Sequence, residues 1–314
     1  MDGIYFPGFG FGFPNVPSGI KIFGFEIKFY AIVITIGFIL AGAIAQREAR
    51  LTGQKDEDYL DFLLVLVLPI IVGARLYYII FNPDRFFVKG KGFVQTLIDL
   101  VNIRNGGLAI YGGLIAGTIT AIIFAKKKGL TLPLMWDTVA MGVLVGQILG
   151  RWGNFFNREV FGAYTDSPVR MAIPIQYFGQ NINHLNYLLD SGIITDEMMQ
   201  NPEVVNGIQC ITVHPTFLYE GFLNLLVLIF IFFFRKHKKF DGEIGLIYMT
   251  GYGICRFLVE AIRTDSLMMG SLKASQVVAL ICVVLGLFLI LLNKKWLHDG
   301  KELKLHSYIK KEEK

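Results

Sequence analysis

Seven apolar blocks, at about residues 29–46, 60–81, 108–125, 133–152, 215–234, 244–262 and 275–293, constrain this chain more than any other feature. Crossing about 30 Å of hydrocarbon takes roughly 20 helical residues. With no water to bond to, each backbone N–H and C=O must be paired within a helix or a closed barrel. The blocks are continuous rather than alternating, so they read as helices. Composition agrees: 54% of residues are hydrophobic and only 18% are charged, against roughly a quarter charged in a soluble domain. The expected fold class is an all-α polytopic membrane protein, seven transmembrane helices with a small extracytoplasmic head.

The sequence divides into five stretches. Residues 1–28, rich in Gly, Pro and Phe (FPGFGFGFPNVPSG), read as an external segment at the membrane interface. They lack a basic start followed by a short apolar run, so no cleavable signal peptide is expected. Residues 29–152 hold the first four helices. Residues 153–213 carry most of the polar, turn-forming sequence (AYTDSP, QNINH, NPEVVNG) and are too long for a structureless loop, so they read as an external head. Residues 214–293 hold the last three helices, and 294–314 a charged tail.

Lys and Arg crowd into short runs, KKK at 126–128 and RKHKK at 235–239, and into the tail. These fall on one side of the membrane; on the other side they are spread thinly over long segments. The positive-inside rule then puts the N-terminus outside and the tail in the cytoplasm. The bilayer is an expected partner and nucleic acid is not. Cys210, Cys255 and Cys282 have no metal or CxxC spacing, and the five histidines form no cluster. Neither a disulfide framework nor a metal site is expected, and no cysteine is read as a nucleophile. Gly142, Gly146 and Gly150, like Gly113 and Gly117, are spaced by four and read as helix-packing positions.

Ionisable groups within or at the edges of apolar helices are costly and point to function. Arg75, Arg151, Arg256 and Glu260 come late in the second, fourth and sixth blocks, with Arg263 just beyond. Tyr30, Tyr111 and Glu220 come early in the first, third and fifth. Because alternate helices run in opposite directions, all of these groups fall at one level, on the external side. Arg256, Glu260 and Arg263 share one helix face, and Arg151 and Asn154 can face together. A guanidinium fork suits phosphate, and arginines beside amide and phenol donors suit a phospholipid headgroup. Structural readings stand alongside. Arg256 and Glu260 can simply pair. Arg75 can be structural. Glu220 with Tyr219 can buttress a neighbouring helix. His214, before Pro215, is either a helix-start residue or a base. A transporter or a lipid-binding scaffold could use the same intramembrane arginines.

Five segments resemble the prolipoprotein diacylglyceryl transferase family: GRWGNFFNREVFG at Gly150 to Gly162, HPTFLYE at His214 to Glu220, RFLVEAIR at Arg256 to Arg263, GARLYY at Gly73 to Tyr78 and YGGLIAG at Tyr111 to Gly117. The resemblance implies a seven-helix body with an external head. It also implies transfer of a diacylglyceryl group from phosphatidylglycerol to the lipobox cysteine of preprolipoproteins, in a bacterial cytoplasmic membrane and with no cofactor. Carried over on matching positions, Arg151, Asn154, Glu159 and Gly162 belong to the first motif, Arg256, Glu260 and Arg263 to the third, and Tyr30 to the first helix. Arg151, Arg256 and Tyr111 are the expected catalytic residues. Tyr30, Arg75, Asn154, Glu159, Gly162, His214, Tyr219, Glu220, Glu260 and Arg263 are expected to bind substrate. One departure matters: many members carry histidine where this chain has Tyr111. A phenol, with its ordinary pKa near 10, is a poor base at neutral pH, so Tyr111 reads as a hydrogen-bond donor.

Overall fold

The computed structural model describes residues 3–87, 90, 92–103 and 106–300. It opens with two antiparallel hairpins, β1 (Ile4–Phe6) with β2 (Phe11–Phe13) and β3 (Gly19–Ile22) with β4 (Phe25–Lys28). Next come α1 (Phe29–Leu51), α2 (Asp56–Phe81), the short α3 (Phe93–Val101), α4 (Ile110–Lys128) and α5 (Leu132–Asn157). The head follows as β5 (Met171–Pro174), α6 (Ile175–Gly179), α7 (Ile182–Asp190), α8 (Asp196–Gln200), β6 (Glu203–Val205) and β7 (Ile208–Val213). The chain then returns through α9 (Thr216–Phe234) and α10 (Glu243–Ala261). The small hairpin β8 (Met268–Met269)–β9 (Leu272–Lys273) leads into α11 (Ala274–His298). The charged tail read as cytoplasmic lies, from residue 301 on, outside the described residues.

Seven of the helices, α1, α2, α4, α5, α9, α10 and α11, are long and apolar enough to cross a membrane. Their outer faces present large apolar side chains such as Leu68, Phe233 and Leu291. A soluble protein rarely leaves so broad an apolar belt in water. The protein is a multi-pass membrane protein.

Glycine sets the closest helix contacts. A Cβ on Gly142 of α5 would lie 2.5 Å from the Ala41 carbonyl oxygen of α1, and one on Gly112 of α4 would lie 2.2 Å from that of Gly73 on α2. Neither backbone could come this near a larger residue. Gly150 faces open space, so its four-residue spacing does not mark a contact.

The head is built on a five-stranded antiparallel sheet in the order β2-β1-β5-β7-β6. Residues 1–28, read from sequence as a separate interfacial segment, thus supply two strands to it. Tyr5 pairs with Ala172 of β5. The head core, including Ile4, Phe6, Ile173, Ile211 and Met198, is continuous with Phe155 at the end of α5 and Phe217 at the start of α9. The strands are only three to six residues long, too short for alternation to mark them, so sheet formation is a product of this packing. Apolar cohesion therefore fixes the head on the ends of two of the helices that carry the charged motifs.

Candidate functional site

The ionic groups gather where α5, α9 and α10 reach the head. Glu220, one turn into α9 and 1% exposed, lies between two arginines: Arg151 Nη2 of α5 at 3.1 Å and Arg256 Nη1 of α10 at 3.2 Å. The other arm of Arg256 meets Glu260 at 2.6 Å, one turn along the same helix. Arg263 Nη1 is 3.6 Å from Glu260, and its guanidinium also grips Asp265 through Nε and Nη2, both at 2.9 Å. Lys273 closes this side: its Nζ donates to the carbonyls of Glu260 (2.8 Å), Ala261 (3.1 Å) and Arg263 (2.7 Å), taking up the open C-terminus of α10.

On the other side the network thins toward the surface. Arg151 Nη1 reaches Asn154 Oδ1 at 3.4 Å, Asn154 donates to Glu159 at 3.3 Å, and Asn157 donates to the same carboxylate at 3.0 Å. Glu159 is exposed. Tyr30 of α1 packs on Gly153, where a Cβ would come within 2.5 Å of its ring, and it interacts electrostatically with Glu159 and Arg151. Neither Arg151 nor Arg256 uses its Nε on any partner among the described residues. Two desolvated guanidiniums with spare donors can hold an anion.

Arg75 contrasts with them. Its Nε donates to Leu100 O, Nη1 to Gly106 O and Gly107 O, and Nη2 to Asp99 O and Asn102 O. All five guanidinium N–H groups are engaged on main-chain carbonyls, and the ring of Phe86 lies 5.0 Å away. Arg75 therefore does not join the other arginines. It clamps the connection between α3 and α4, and no donor is left for substrate.

Gly162, His214 and Tyr219 form the joint between head and bundle. Gly162 N donates to His214 O (3.0 Å), and Ala163 N to Ile262 O (2.8 Å), beyond the end of α10. A Cβ at Gly162 would be 2.8 Å from His214 Cβ and 2.9 Å from Ile262 O, so the strap passes there only as glycine. His214 Nδ1 is 3.2 Å from the Tyr219 hydroxyl. Burial pulls the His214 pKa below its ordinary 6.5, so the imidazole is neutral at neutral pH and Nδ1 can accept from the phenol. Tyr111, at the first turn of α4, packs at a tilt against Tyr77 with ring centroids 6.4 Å apart, and its hydroxyl has no partner among the described residues. Cys210 is buried in the head sheet, where desolvation pushes its pKa to about 11.

Several participants carry no sequence signal of their own. Asp265 and Lys273 lie outside the motifs. Gln147 and Asn224 look like ordinary helix residues until the helices that bear them are paired. A pocket of about 310 Å³ is lined by aromatic residues, among them Phe11, Phe13, Trp152 and Phe217. Its existence depends on the N-terminal hairpin folding back over α5 and α9.

The fold and site define a class: a multi-pass membrane protein with a folded head and a buried arginine–carboxylate network where head meets bundle. Comparison with known proteins carries this further. The family model described as prolipoprotein diacylglyceryl transferase matches residues 17–292. Among similar proteins, the phosphatidylglycerol–prolipoprotein diacylglyceryl transferase of Finegoldia magna is 38% identical over 90% of this chain and 97% of its own length. The proteins of the same name from Clostridioides difficile, at 36% over 87% and 94%, and Streptococcus agalactiae, at 33% over 90% and 97%, are also similar. The chain belongs to the prolipoprotein diacylglyceryl transferase family, a family of membrane transferases.

Proposed function

We propose that the protein transfers the sn-1,2-diacylglyceryl group of phosphatidylglycerol to the thiol of a lipobox cysteine in a preprolipoprotein. The observation that carries the mechanism is Glu220 held between Arg151 and Arg256, each arginine with donors to spare. The lipid phosphate sits against these two guanidiniums, with Asn154 and the unpartnered Tyr111 hydroxyl as further donors. The cysteine sulfur attacks the glycerol carbon that bears the phosphoester oxygen. A C–S bond forms, the C–O bond breaks, and glycerol phosphate leaves with the electron pair. The thiol proton passes to solvent or to the departing phosphate. The arginines neutralise charge as it moves onto that oxygen and favour the thiolate of a nearby cysteine. Gly162, His214 and Tyr219 position the head over the site. Tyr30, Glu159, Glu260 and Arg263 hold the arginines in register.

The protein sits in the bacterial cytoplasmic membrane, with N-terminus and head outside and the chain end beyond α11 in the cytoplasm. The arginine network is then level with the outer leaflet, where lipid donor and translocated protein meet. Purified protein should move labelled diacylglycerol from phosphatidylglycerol vesicles to a lipobox peptide; failure to do so overturns the reading. Single cysteines at 126–128 and 235–239 should label from the cytoplasm and those at exposed positions of 163–210 from outside. The reverse pattern removes the outer-leaflet site.

A further inference from the structure

One turn deeper into the bundle than the arginine network, the helices carry neutral polar groups that the mechanism leaves unused. Asn224 lies four residues beyond Glu220 on α9, and Gln147 four residues before Arg151 on α5. These helices pack together, and since Arg151 meets Glu220, the two amides fall at the same depth on facing surfaces. Asn224 is 0% exposed, and neither Nδ2 nor Oδ1 has a hydrogen-bond partner among the described residues. Gln147 donates to the Tyr248 hydroxyl at 3.0 Å, but its own buried Oε1 is also without a partner. Tyr252 of α10, one turn before Arg256, stacks on Tyr248 at 6.0 Å and interacts electrostatically with Glu220, Arg151 and Arg256.

Buried amide groups without partners are rare, because each forfeits the bonds it made in water. Three such atoms on two packed helices, one turn below an anion site, suit a guest with hydroxyls that both donate and accept. Substitution at a saturated carbon needs the nucleophile and the leaving oxygen in line on opposite sides. Exposure rises from buried Glu220 through Arg151 to exposed Glu159, so the thiol arrives from the head side and the leaving group points inward. Four helical residues advance about 6 Å, the reach of a three-carbon polyol beyond its phosphate.

We infer that Gln147 and Asn224 form a headgroup subsite that binds the two free hydroxyls of the donor's terminal glycerol. This rests on the transfer reaction above and adds the basis of donor choice. Neutral amides accept and donate to a diol. They offer no carboxylate to an ammonium headgroup and no bond to a plain alkyl one.

The test compares phosphatidylglycerol with phosphatidylpropanol, which keeps the phosphate and both acyl chains but lacks the two hydroxyls. The readout is kcat/KM for transfer to a cysteine peptide. Wild type should prefer phosphatidylglycerol by about tenfold or more, as expected when buried polar groups are left unpaired by the wrong substrate. In Asn224→Leu, an apolar replacement of similar size that removes the unpaired amide, the ratio should collapse toward one, chiefly through KM for phosphatidylglycerol. Equal use of both donors by wild type overturns the inference without needing any variant. A ratio retained in Asn224→Leu also overturns it, and leaves the amides holding ordered water only. Absence of transfer from both donors by wild type is a different failure: it removes the transfer reading and this inference with it.

Discussion

The two ends of the helix bundle both bury charge, but they do so in opposite ways. At the end away from the head, buried carboxylates meet cations that are themselves buried. Asp137 accepts from Lys238 Nζ at 3.1 Å and from the backbone N–H groups of Gly242 and Gly245 at 2.8 and 2.9 Å, at the start of α10. Glu48 and Arg235, both almost fully buried, pair directly. At the head end, long arginine side chains share carboxylates across three helices, and Arg151 and Arg256 remain 21% and 15% exposed with donors to spare. The first arrangement closes the bundle. The second keeps donors unpaired, as the proposed phosphate site requires. Desolvated charge alone does not separate structure from function; donors that keep access to the outside do.

The largest effect should come from breaking the closed end. Glu48→Gln leaves Arg235 without its carboxylate inside the bundle and should cost about 3–5 kcal/mol, as removal of one partner of a buried pair does. Thermal unfolding should show this loss, while KM of the surviving folded protein changes little. A Glu48→Gln protein of normal stability would mean that this pair is no tighter than the open network and would erase the contrast.

Arg151→Lys and Arg256→Lys should show the reverse. Charge is retained, but the planar fork is lost, and transfer should fall by about a hundredfold, the scale of removing one oriented donor to developing charge. Folded yield should hold. Near-normal transfer by both lysine variants, normalised to folded protein, would make these arginines charge-balancing parts of the scaffold. Tyr111→Phe should be milder: loss of one donor to phosphate costs about tenfold, and Tyr111→His should keep substantial activity. Full activity in the Phe variant would exclude the hydroxyl from the site.

The smallest effect sharpens the comparison at the surface. Arg170 grips Glu203 with two bonds, of 2.6 and 2.7 Å, in the head. This hydrogen bond is the main cause holding the Glu203 pKa below its ordinary 4.5. A depressed carboxylate contributes stability that is present above the unfolded value and lost as pH falls through the folded one. Both side chains are partly exposed, so the contribution should stay below about 1 kcal/mol. Glu203→Gln should slightly lower the melting temperature at pH 7 and remove that part of the acid sensitivity below pH about 4.5. A loss as large as that of Glu48→Gln would show that closed geometry, rather than burial, sets the value of a pair.

Much of the body was legible in the chain. The apolar blocks mark the seven long helices to within a few residues at most ends, because hydrocarbon thickness sets a length that sequence displays directly. The blocks at 29–46, 133–152 and 275–293 fall short of α1, α5 and α11, which continue to Leu51, Asn157 and His298. The motifs also name most of the network: Arg151, Asn154, Glu159, Glu220, Arg256, Glu260 and Arg263 do meet. Arg75 looks like its companions in sequence, a lone charge late in an apolar helix. Its five carbonyl partners come from residues 99–107, a segment whose fold no local pattern announces. The head sheet was illegible for a similar reason, since β1 and β5 lie far apart in the chain and pair through a single residue of β1.

The sequence by itself determined that this chain crosses a membrane seven times and carries the charges of its motifs at one level, because hydrophobic length and helix direction are local properties that add along the chain. Only the tertiary structure decided which of those charges remain open. Whether a guanidinium has donors to spare depends on which carbonyls and carboxylates surround it, and for Arg75, Arg151 and Arg256 those neighbours come from other parts of the chain.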